Sequence, residues 1–333
     1  MGMARERRKK RVVVIGGGTG TYTALRGLKK YPFALTAIVG MSDSGGSTGR
    51  LRDELGVLPP GDVMRCLVAL SSSSRQMRTL MDYRFDKGGL SGHKFGNLFL
   101  SALEKMTGSF DAAVETASTL LRINGRVVPV TLDRVDLVAQ VGARVVHGEE
   151  KIQMTKLNGA LKKLWLEPAG RANPKALDAI READVIVIGP GNFYASLVTN
   201  LLVKGIPEAI RKSHAKKVFV CNLMTKLEHT KNYSVADYTA LLETYLRSKV
   251  DVVIYNDKKP SPQLLKRYAR EGDTLTSWED LPEGRTLLGS NLLSSLAPLS
   301  KTGTPKVESS LVRHDPKRLA ALIAKIAGVH FLA

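Results

Sequence analysis

Short apolar runs alternate along the chain with segments whose apolar residues recur at helical spacing. Five runs rich in Val and Ile are predicted to form strands: 12–15, 35–41, 184–189, 217–221 and 250–255. Nine segments are predicted to form helices: 22–30, 62–71, 97–106, 110–123, 174–183, 201–212, 235–246, 262–271 and 316–327. Regular alternation of strands and helices is typical of an α/β protein built on a parallel sheet.

Region 124–170 breaks this pattern. Its runs 126–131 and 137–141 alternate apolar and polar residues between turn signals, which is typical of half-buried antiparallel strands. We therefore predict a small antiparallel β insertion at about 124–170. The stretch 280–310 is rich in Leu, Ser, Gly and Pro without a clear period, and we predict irregular structure there.

The chain is strongly basic. Its 333 residues include 50 Lys and Arg against 31 Asp and Glu, a formal net charge of +19. Part of that charge lies in residues 1–11, which we predict to be a basic tail ahead of a single domain at 12–333. The positive charge favours anionic partners such as nucleotides. Nucleic acid is disfavoured as a partner, because the basic residues lack interleaved aromatic residues on which bases could stack.

The chain carries no recognisable membrane or export signal. No apolar run approaches the ~18 residues needed to span a membrane, and no hydrophobic region follows the basic start. Cys66 and Cys221 lie in apolar surroundings, which indicates buried thiols in a reducing compartment. We therefore expect no transmembrane segment and a cytoplasmic location.

The first predicted strand runs directly into a glycine-rich turn. The turn consists of Gly16, Gly17, Gly18, Thr19, Gly20 and Thr21. Small residues let the backbone approach an anion closely, and the N–H groups of the following helix would point at it. The dinucleotide-binding fingerprint would require a third glycine or alanine where this chain has Thr21. The turn is thus a candidate phosphate cradle, and a simple tight turn is the alternative.

A second segment of similar composition follows the second predicted strand. Its candidate ligand-binding residues are Asp43, Ser44, Gly45, Gly46, Ser47 and Arg50. The glycines expose backbone N–H groups, while the hydroxyl and guanidinium groups add donors for an anion. Asp43 could accept a hydrogen bond from a ribose or hold a divalent cation beside phosphates. A flexible surface loop is the alternative.

Two further positions carry polar groups next to predicted helices. Asp62 could cap its helix, contribute to a site, or do both. His93, Lys94 and Asn97 combine an imidazole, an ammonium and an amide, a mixture suited to phosphate or sugar recognition. For these three the alternatives are a turn residue, an exposed lysine and a helix cap.

Later strands are also followed by polar residues. Asn192 and Tyr194 come after the strand at 184–189, and Asn222 comes after the next one. In an open parallel sheet the ligand crevice lies outside the carboxyl ends of the strands, so these residues are candidates for its rim. Tyr194 could stack on a base or sugar, or pack against the sheet. No histidine pair has metal-ligand spacing, and neither a nucleophile elbow nor a Walker lysine is present.

Taken together, these segments make the chain resemble a known family. It is similar to the YvcK/CofD-like family, and within it to the bacterial gluconeogenesis-factor branch, over nearly its full length. The segments that carry the resemblance are 16–20, 43–52, 59–62, 92–97, 189–191 and 221–225.

The resemblance implies a Rossmann-like parallel sheet with helices on both faces, a cytoplasmic protein and a nucleotide ligand. Members of this branch look like UDP-sugar binders needed for cell shape and envelope homeostasis on gluconeogenic carbon sources. The other branch transfers a phospholactyl group from a guanosine diphosphate carrier to a deazaflavin alcohol with Mg²⁺. That branch typically has a threonine-glycine-acid pattern where this chain has 43–47, which favours the first branch. Lys226 stands where many relatives of that first branch have glutamine.

We therefore expect a UDP-sugar-binding regulator and assign no catalytic residue. The pyrophosphate should lie over the turn at 16–20, with the segment 43–50 closing over the ligand. One alternative is a phosphotransferase in which Asp43 and Asp62 hold Mg²⁺ and a basic residue neutralises developing charge, either Lys94 or Arg50. Another is an NAD(P)-binding protein. A homo-oligomer is also expected.

Overall fold

A seven-stranded parallel sheet forms the centre of the structure, a computed structural model that describes residues 8–157, 159–294 and 312–329. Its strand order is β10-β9-β8-β7-β1-β2-β3, and a second, three-stranded antiparallel sheet has the order β5-β4-β6. The strands are β1 (Lys10–Gly16), β2 (Phe33–Val39), β3 (Arg126–Pro129), β4 (Asp136–Val141), β5 (Arg144–His147), β6 (Leu161–Glu167), β7 (Val185–Ile188), β8 (Lys216–Val220), β9 (Val252–Asn256) and β10 (Thr286–Ser290).

Helices connect most of these strands. Before β7 they are α1 (Gly18–Leu28), α2 (Gly46–Leu55), α3 (Gly61–Leu70), α4 (Arg75–Asp82), α5 (Phe95–Thr107), α6 (Phe110–Leu120), α7 (Glu149–Gln153) and α8 (Pro174–Glu182). After β7 come a π-helix (Phe193–Val198), α9 (Thr199–Leu201), α10 (Ile206–Lys212), α11 (Val235–Leu246), α12 (Pro262–Arg270) and α13 (Pro316–Ile326). Within the described ranges, no helix is both long and apolar enough to cross a membrane.

The strand order reverses beside β1. From β1 the chain proceeds through β2 to β3 on one side, whereas β7, β8, β9 and β10 follow on the other. Because parallel crossovers are right-handed, this reversal puts the connecting helices on opposite faces of the sheet. Accordingly α1 packs against α3 and α13, while α10 packs against α8 and α11. The switch point between β1 and β7 is where an open α/β sheet binds its ligand.

The central strands are apolar along their whole length because helices cover both faces. In β1, Val12 and Val14 are fully buried, and so is Ile15. Val14 pairs with Ala37 of β2 and with Val187 of β7. A covered parallel sheet requires such continuous apolar runs. The α/β class predicted from the alternation of strands and helices is confirmed.

Several predicted helix starts are confirmed by capping contacts. Ser234 and Asp237 form a capping box at the start of α11. The Asn173 side chain accepts a hydrogen bond from the backbone N–H of Lys175 ahead of α8. Asp315 caps α13. These short polar side chains satisfy N–H groups that the first helical turn leaves unpaired.

The β insertion is smaller than predicted. The run beginning at residue 126 is not part of it, because Arg126–Pro129 pairs in parallel with β2 and forms an edge of the large sheet. A short apolar run is compatible with a parallel or an antiparallel sheet. Only the strand with which it pairs decides to which sheet it belongs. The antiparallel sheet itself spans 136–167.

The ends of the chain also differ from the sequence predictions. The stretch 280–310 is not wholly irregular, since β10 pairs in parallel with β9, while 295–311 lies outside the described residues. Within the predicted basic tail 1–11, residues 1–7 are likewise outside the described residues, and Lys10 already belongs to β1. Hydrogen bonding to a neighbouring strand extends both strands beyond their apolar runs.

The helix predicted at 201–212 is broken, and several helices were missed. Gly205 has φ +99° and separates α9 from α10. The missed helices include α2, which begins with Gly46 and contains Gly49, as well as α4, α7 and the π-helix. Glycine is a poor helix former, so the sequence pattern favours a loop over α2, whereas its buried Leu51 and Arg52 show that tertiary contacts hold the helix.

Candidate functional site

Two glycine turns meet at the switch point of the sheet. The turn at 16–20 follows β1, and the turn at 189–191 follows β7. A Cβ atom on Gly20 would lie 2.2 Å from the carbonyl oxygen of Pro190. Only glycine therefore lets the two turns approach this closely, and they form the floor of the candidate ligand crevice.

The first turn is also the N-terminus of α1. Gly17 is extended and provides no side-chain cap, and Gly18 has φ +64°, which favours glycine. Gly17 has no side chain with which to cap this eleven-residue helix, although the Asp62 carboxylate accepts a hydrogen bond from the backbone N–H of Gly18. The other N–H groups of the first turn are suited to an anion. Thr21 is fully buried beside Gly16, so its hydroxyl group does not line the crevice.

Helix α3 presents a carboxylate and a guanidinium to this turn. Asp62 Oδ2 is 2.4 Å from the position that a Cβ atom on Gly17 would occupy. Arg65 Nη1 donates a hydrogen bond to Thr19 Oγ1 at 3.4 Å. Since the N-cap of α3 is Pro60, Asp62 does not cap its helix and its carboxylate lies at the glycine turn.

Three carboxyl groups influence one another at this end of the sheet. Burial raises the pKa of Asp62 to about 6, with Arg65 opposing and Asp43 adding to the shift. The pKa of Glu149 is raised to about 8, mainly by burial and then by the charges of Asp43 and Asp62. Such mutual repulsion makes the cluster receptive to a cation or a proton.

The carboxylates suit a cation that is shared with phosphates. Asp43 Oδ1 accepts a hydrogen bond from the N–H of Gly45 at 3.0 Å, and Asp43 Oδ2 is 3.1 Å from where a Cβ atom on Gly61 would lie. In the described part of the chain, no group of three or more His, Cys, Asp or Glu residues has the geometry of a metal site. Mg²⁺ commonly uses one or two carboxylates, with water and substrate phosphates as its remaining ligands.

The predicted ligand-binding residues of α2 and α5 do come together. The Ser47 hydroxyl lies 3.2 Å from His93 Nδ1, and it accepts hydrogen bonds from Asn97 Nδ2 at 3.2 Å and from the backbone N–H of Lys94 at 3.4 Å. His93 and Asn97 are each only 4% exposed. Asn97 does not cap α5, whose N-cap is Lys94. These buried side chains join α2 to α5 and thereby position Lys94.

Four cations repel one another beside the carboxylates; we call Arg50, Arg65, Arg84 and Lys94 the basic cluster. Burial lowers the pKa of Lys94, and so do Arg65 and Arg84, although Asp82 opposes the shift. Burial lowers the pKa of Arg84, and the nearby charges of Arg65 and Arg50 lower it further. A bound anion would relieve this repulsion.

The segment 43–50 is a short loop followed by the start of a helix. Its second half forms the first residues of α2, after Gly45 as the N-cap. Ser44 Oγ accepts a hydrogen bond from the backbone N–H of Glu150 at 3.3 Å. Arg52 of α2 pairs with Asp136 of β4 at 2.6 Å. Both contacts attach this side of the crevice to the β insertion.

The sequence of the chain matches a known family over most of its length. A family model described as 2-phospho-L-lactate transferase CofD matches residues 12–292. The chain belongs to the CofD family.

The chain is similar to proteins named gluconeogenesis factors. The gluconeogenesis factor of Bacillus subtilis is 36% identical over 322 residues, covering 96% of this chain and 98% of the relative. The gluconeogenesis factor of Halalkalibacterium halodurans is 42% identical over 268 residues, covering 79% of this chain and 83% of the relative. A crystal structure of a Bacillus halodurans protein superposes with a TM-score of 0.85 at 36% identity, covering 95% and 99% of the two chains.

The predicted rim of the crevice is only partly present in this CofD-family chain. Asn222 Nδ2 donates a hydrogen bond to the Gly191 carbonyl at 2.9 Å, and Asn192 caps the π-helix through the N–H of Ala195. Tyr194 is 4% exposed and packs edge-on against Phe193 and His229. Its ring therefore packs inside the protein, as in the second of the two alternatives given for it, and does not lie on the rim of the crevice.

Sequence reasoning missed three ionisable residues of this site. Arg65 and Glu149 each lie one helical turn or more from any glycine motif, and Arg84 lies in a loop. Lone charged residues carry no periodic signal. The one hint was the helical spacing that puts Arg65 three residues after Asp62, since residues i and i+3 share a helix face.

Proposed function

We propose that this CofD-family chain is a regulator that binds a UDP-sugar at the switch point between β1 and β7. The observation that carries the proposal is the glycine-rich N-terminus of α1, which has the carboxyl group of Asp62 and the guanidinium group of Arg65 beside it. A nucleoside diphosphate complements both the basic and the acidic side chains, because its phosphates are anionic and commonly carry Mg²⁺.

The proposed binding mode assigns each group a role. The pyrophosphate lies over the turn at 16–20 and accepts hydrogen bonds from backbone N–H groups of α1. Arg65 and Lys94 supply positive charge, while Asp43 and Asp62 hold Mg²⁺ against the phosphates. The charges of these two acids also raise the pKa of Glu149, after the larger effect of its burial.

Relatives named gluconeogenesis factors support a cellular role on gluconeogenic carbon sources. We propose that the chain acts in the cytoplasm and is needed for cell shape and envelope homeostasis on gluconeogenic carbon sources. Two free buried thiols, Cys66 and Cys221, support a reducing compartment.

Calorimetry against a panel of nucleotides tests this proposal. We expect UDP-sugars to release heat on binding, more strongly with Mg²⁺ than without, and NAD and free nucleosides to bind far more weakly. Asp43→Asn should weaken binding only when Mg²⁺ is present. No heat from any UDP-sugar, together with heat from a dinucleotide, would reject the UDP-sugar in favour of NAD(P).

The acidic side of the crevice favours one second function. Asp43, Asp62 and a basic residue such as Lys94 would suit a Mg²⁺-dependent phosphotransferase, the activity in the family's description. Mass spectrometry of a mixture with a guanosine diphosphate-linked phospholactate and the deazaflavin alcohol tests it. Formation of the phospholactyl product at a rate that depends on Asp62 would make the chain an enzyme.

A further inference from the structure

A second cavity lies between the β insertion and the elements that follow β7. It has a volume of about 270 Å³. We call it the tyrosine cavity and define it by Lys162, Lys163, Tyr194, His229, Tyr233 and Tyr245. None of these residues belongs to the basic cluster or to the carboxylate group of the crevice.

Phenol groups line the inner wall of the tyrosine cavity. Tyr194 is buried, and its hydroxyl group is hydrogen-bonded to that of Tyr233. Burial raises the pKa of Tyr194, and the nearby Tyr233 and Tyr245 raise it further. Tyr194 therefore stays neutral, and a tyrosine hydroxyl group can both donate and accept hydrogen bonds.

The outer wall of the tyrosine cavity is cationic. Lys162 and Lys163 are exposed on β6, and the ammonium of Lys163 lies 5.3 Å from the centre of the Trp165 ring. His229 adds no charge there, because burial lowers its pKa. A ligand with an anionic group at the mouth of the cavity and hydroxyl groups inside would complement both the cationic wall and the phenol wall.

The tyrosine cavity and the crevice lie on different sides of the π-helix. Ser196 Oγ is 3.6 Å from the Cβ position of Gly18 and therefore faces the glycine turn. Tyr194, two residues earlier, lines the cavity, and residues i and i+2 of a helix do not face each other. The cavity is therefore a site separate from the nucleotide crevice.

Both sites also contact helix α7. His229 Nε2 donates a hydrogen bond to the Ile152 carbonyl at 3.0 Å, and the same helix carries Glu149 beside the carboxylates of the crevice. A ligand in the tyrosine cavity would thus contact a residue that holds α7 in place.

We propose that the tyrosine cavity binds a monosaccharide monophosphate. Its volume is near the lower limit of small-molecule sites, so it fits one sugar ring and excludes a dinucleotide. The tyrosine hydroxyls would bind the sugar hydroxyls, and the aromatic faces would pack against its C–H groups. Lys162 and Lys163 would bind the phosphate.

Calorimetry on the full chain tests this proposal with glucose 6-phosphate, fructose 6-phosphate and glucosamine 6-phosphate. At least one should bind, and glucose or inorganic phosphate alone should bind at least about tenfold more weakly, because each satisfies only one wall. Tyr245→Phe and Lys162→Ala should each weaken binding by about tenfold. Circular dichroism and thermal melting establish that the variants remain folded.

Two matched variants separate the tyrosine cavity from other sites. Lys151→Ala removes an exposed lysine of α7 and should leave sugar-phosphate binding unchanged, as should Arg65→Ala in the crevice. The proposal is wrong if no sugar phosphate binds, if inorganic phosphate binds equally well, or if saturating UDP-sugar abolishes the binding. Because sugar-phosphate binding is measured without nucleotide, the result does not depend on whether UDP-sugars bind.

Discussion

At the scale of single residues, close packing makes the glycine turn specific for glycine. A Cβ atom on Gly17 would lie 2.4 Å from Asp62 Oδ2, whereas a Cβ atom on Gly89 would have no neighbour within 4 Å. The two positions therefore allow the same substitution to be compared in the crevice and on open surface.

We expect Gly17→Ala to weaken UDP-sugar binding by at least about tenfold, because the methyl group displaces the Asp62 carboxylate and narrows the anion site. Calorimetry measures the affinity, and Gly89→Ala serves as the control with unchanged affinity. Wild-type affinity in Gly17→Ala would show that the nucleotide does not lie over this turn.

Carboxyl groups of the crevice should make stability depend on pH. The raised pKa values of Asp62, about 6, and Glu149, about 8, mean that both groups hold protons more tightly in the folded chain than in the unfolded chain. Their contribution to stability is complete below their unfolded-state pKa values and is lost as the pH rises through 6 and then 8. Without divalent cations, the melting temperature should therefore fall from about pH 5 to about pH 9.

Glu149→Gln isolates the larger of these two shifts. Glutamine cannot ionise, so the melting temperature of the variant should fall less over the same pH range than that of the wild type. Glu279→Gln changes an exposed residue whose charge does not contribute to either raised pKa, and it should keep the wild-type pH dependence. Equal pH dependence in Glu149→Gln and the wild type would contradict the burial of an ionisable carboxyl group at this position.

At the scale of elements, one hydroxyl group joins α2 to α5. Ser47→Ala leaves Asn97 Nδ2 without its acceptor and removes the contact to His93 Nδ1. Because these groups are buried, we expect the free energy of unfolding to fall by about 1–3 kcal/mol. Urea denaturation measures it, with Ser248→Ala as a control that should change it little, because the hydrogen bond from the Ser248 hydroxyl group to the Lys249 carbonyl is exposed.

The same contact explains which part of the site could be predicted from the sequence. Ser47, His93 and Asn97 attract notice because polar residues beside glycines suit ligand binding. Their burial could not be predicted, since it depends on α5 packing against α2. These buried side chains position Lys94 instead of lining the surface of the site. The sequence contains no signal that separates a buried supporting residue from one that contacts the ligand.

At the scale of the whole molecule, the net charge of +19 favours anionic ligands without choosing among them. A nucleotide held in a pocket releases few counterions, so its affinity should fall by less than about tenfold between about 50 and 200 mM salt. A loss of about 10³-fold or more over that range would indicate nucleic-acid binding instead. Calorimetry at several salt concentrations measures the slope.

Oligomeric state belongs to the same scale and stays a prediction. We expect a homo-oligomer, and light scattering of the full chain measures its mass. A mass of one chain at every concentration would contradict it.

The sequence by itself determined the α/β class, the apolar strands at the centre and the glycine turn after β1. Those features depend on local periodicity and on the backbone freedom of glycine. Only the tertiary structure decided that β3 joins the large sheet and that the order reverses beside β1. It alone placed Arg65 and Glu149 at the crevice and Tyr194 in a separate cavity. Strand partners, burial and charge clusters involve residues far apart in the chain, so no local pattern encodes them.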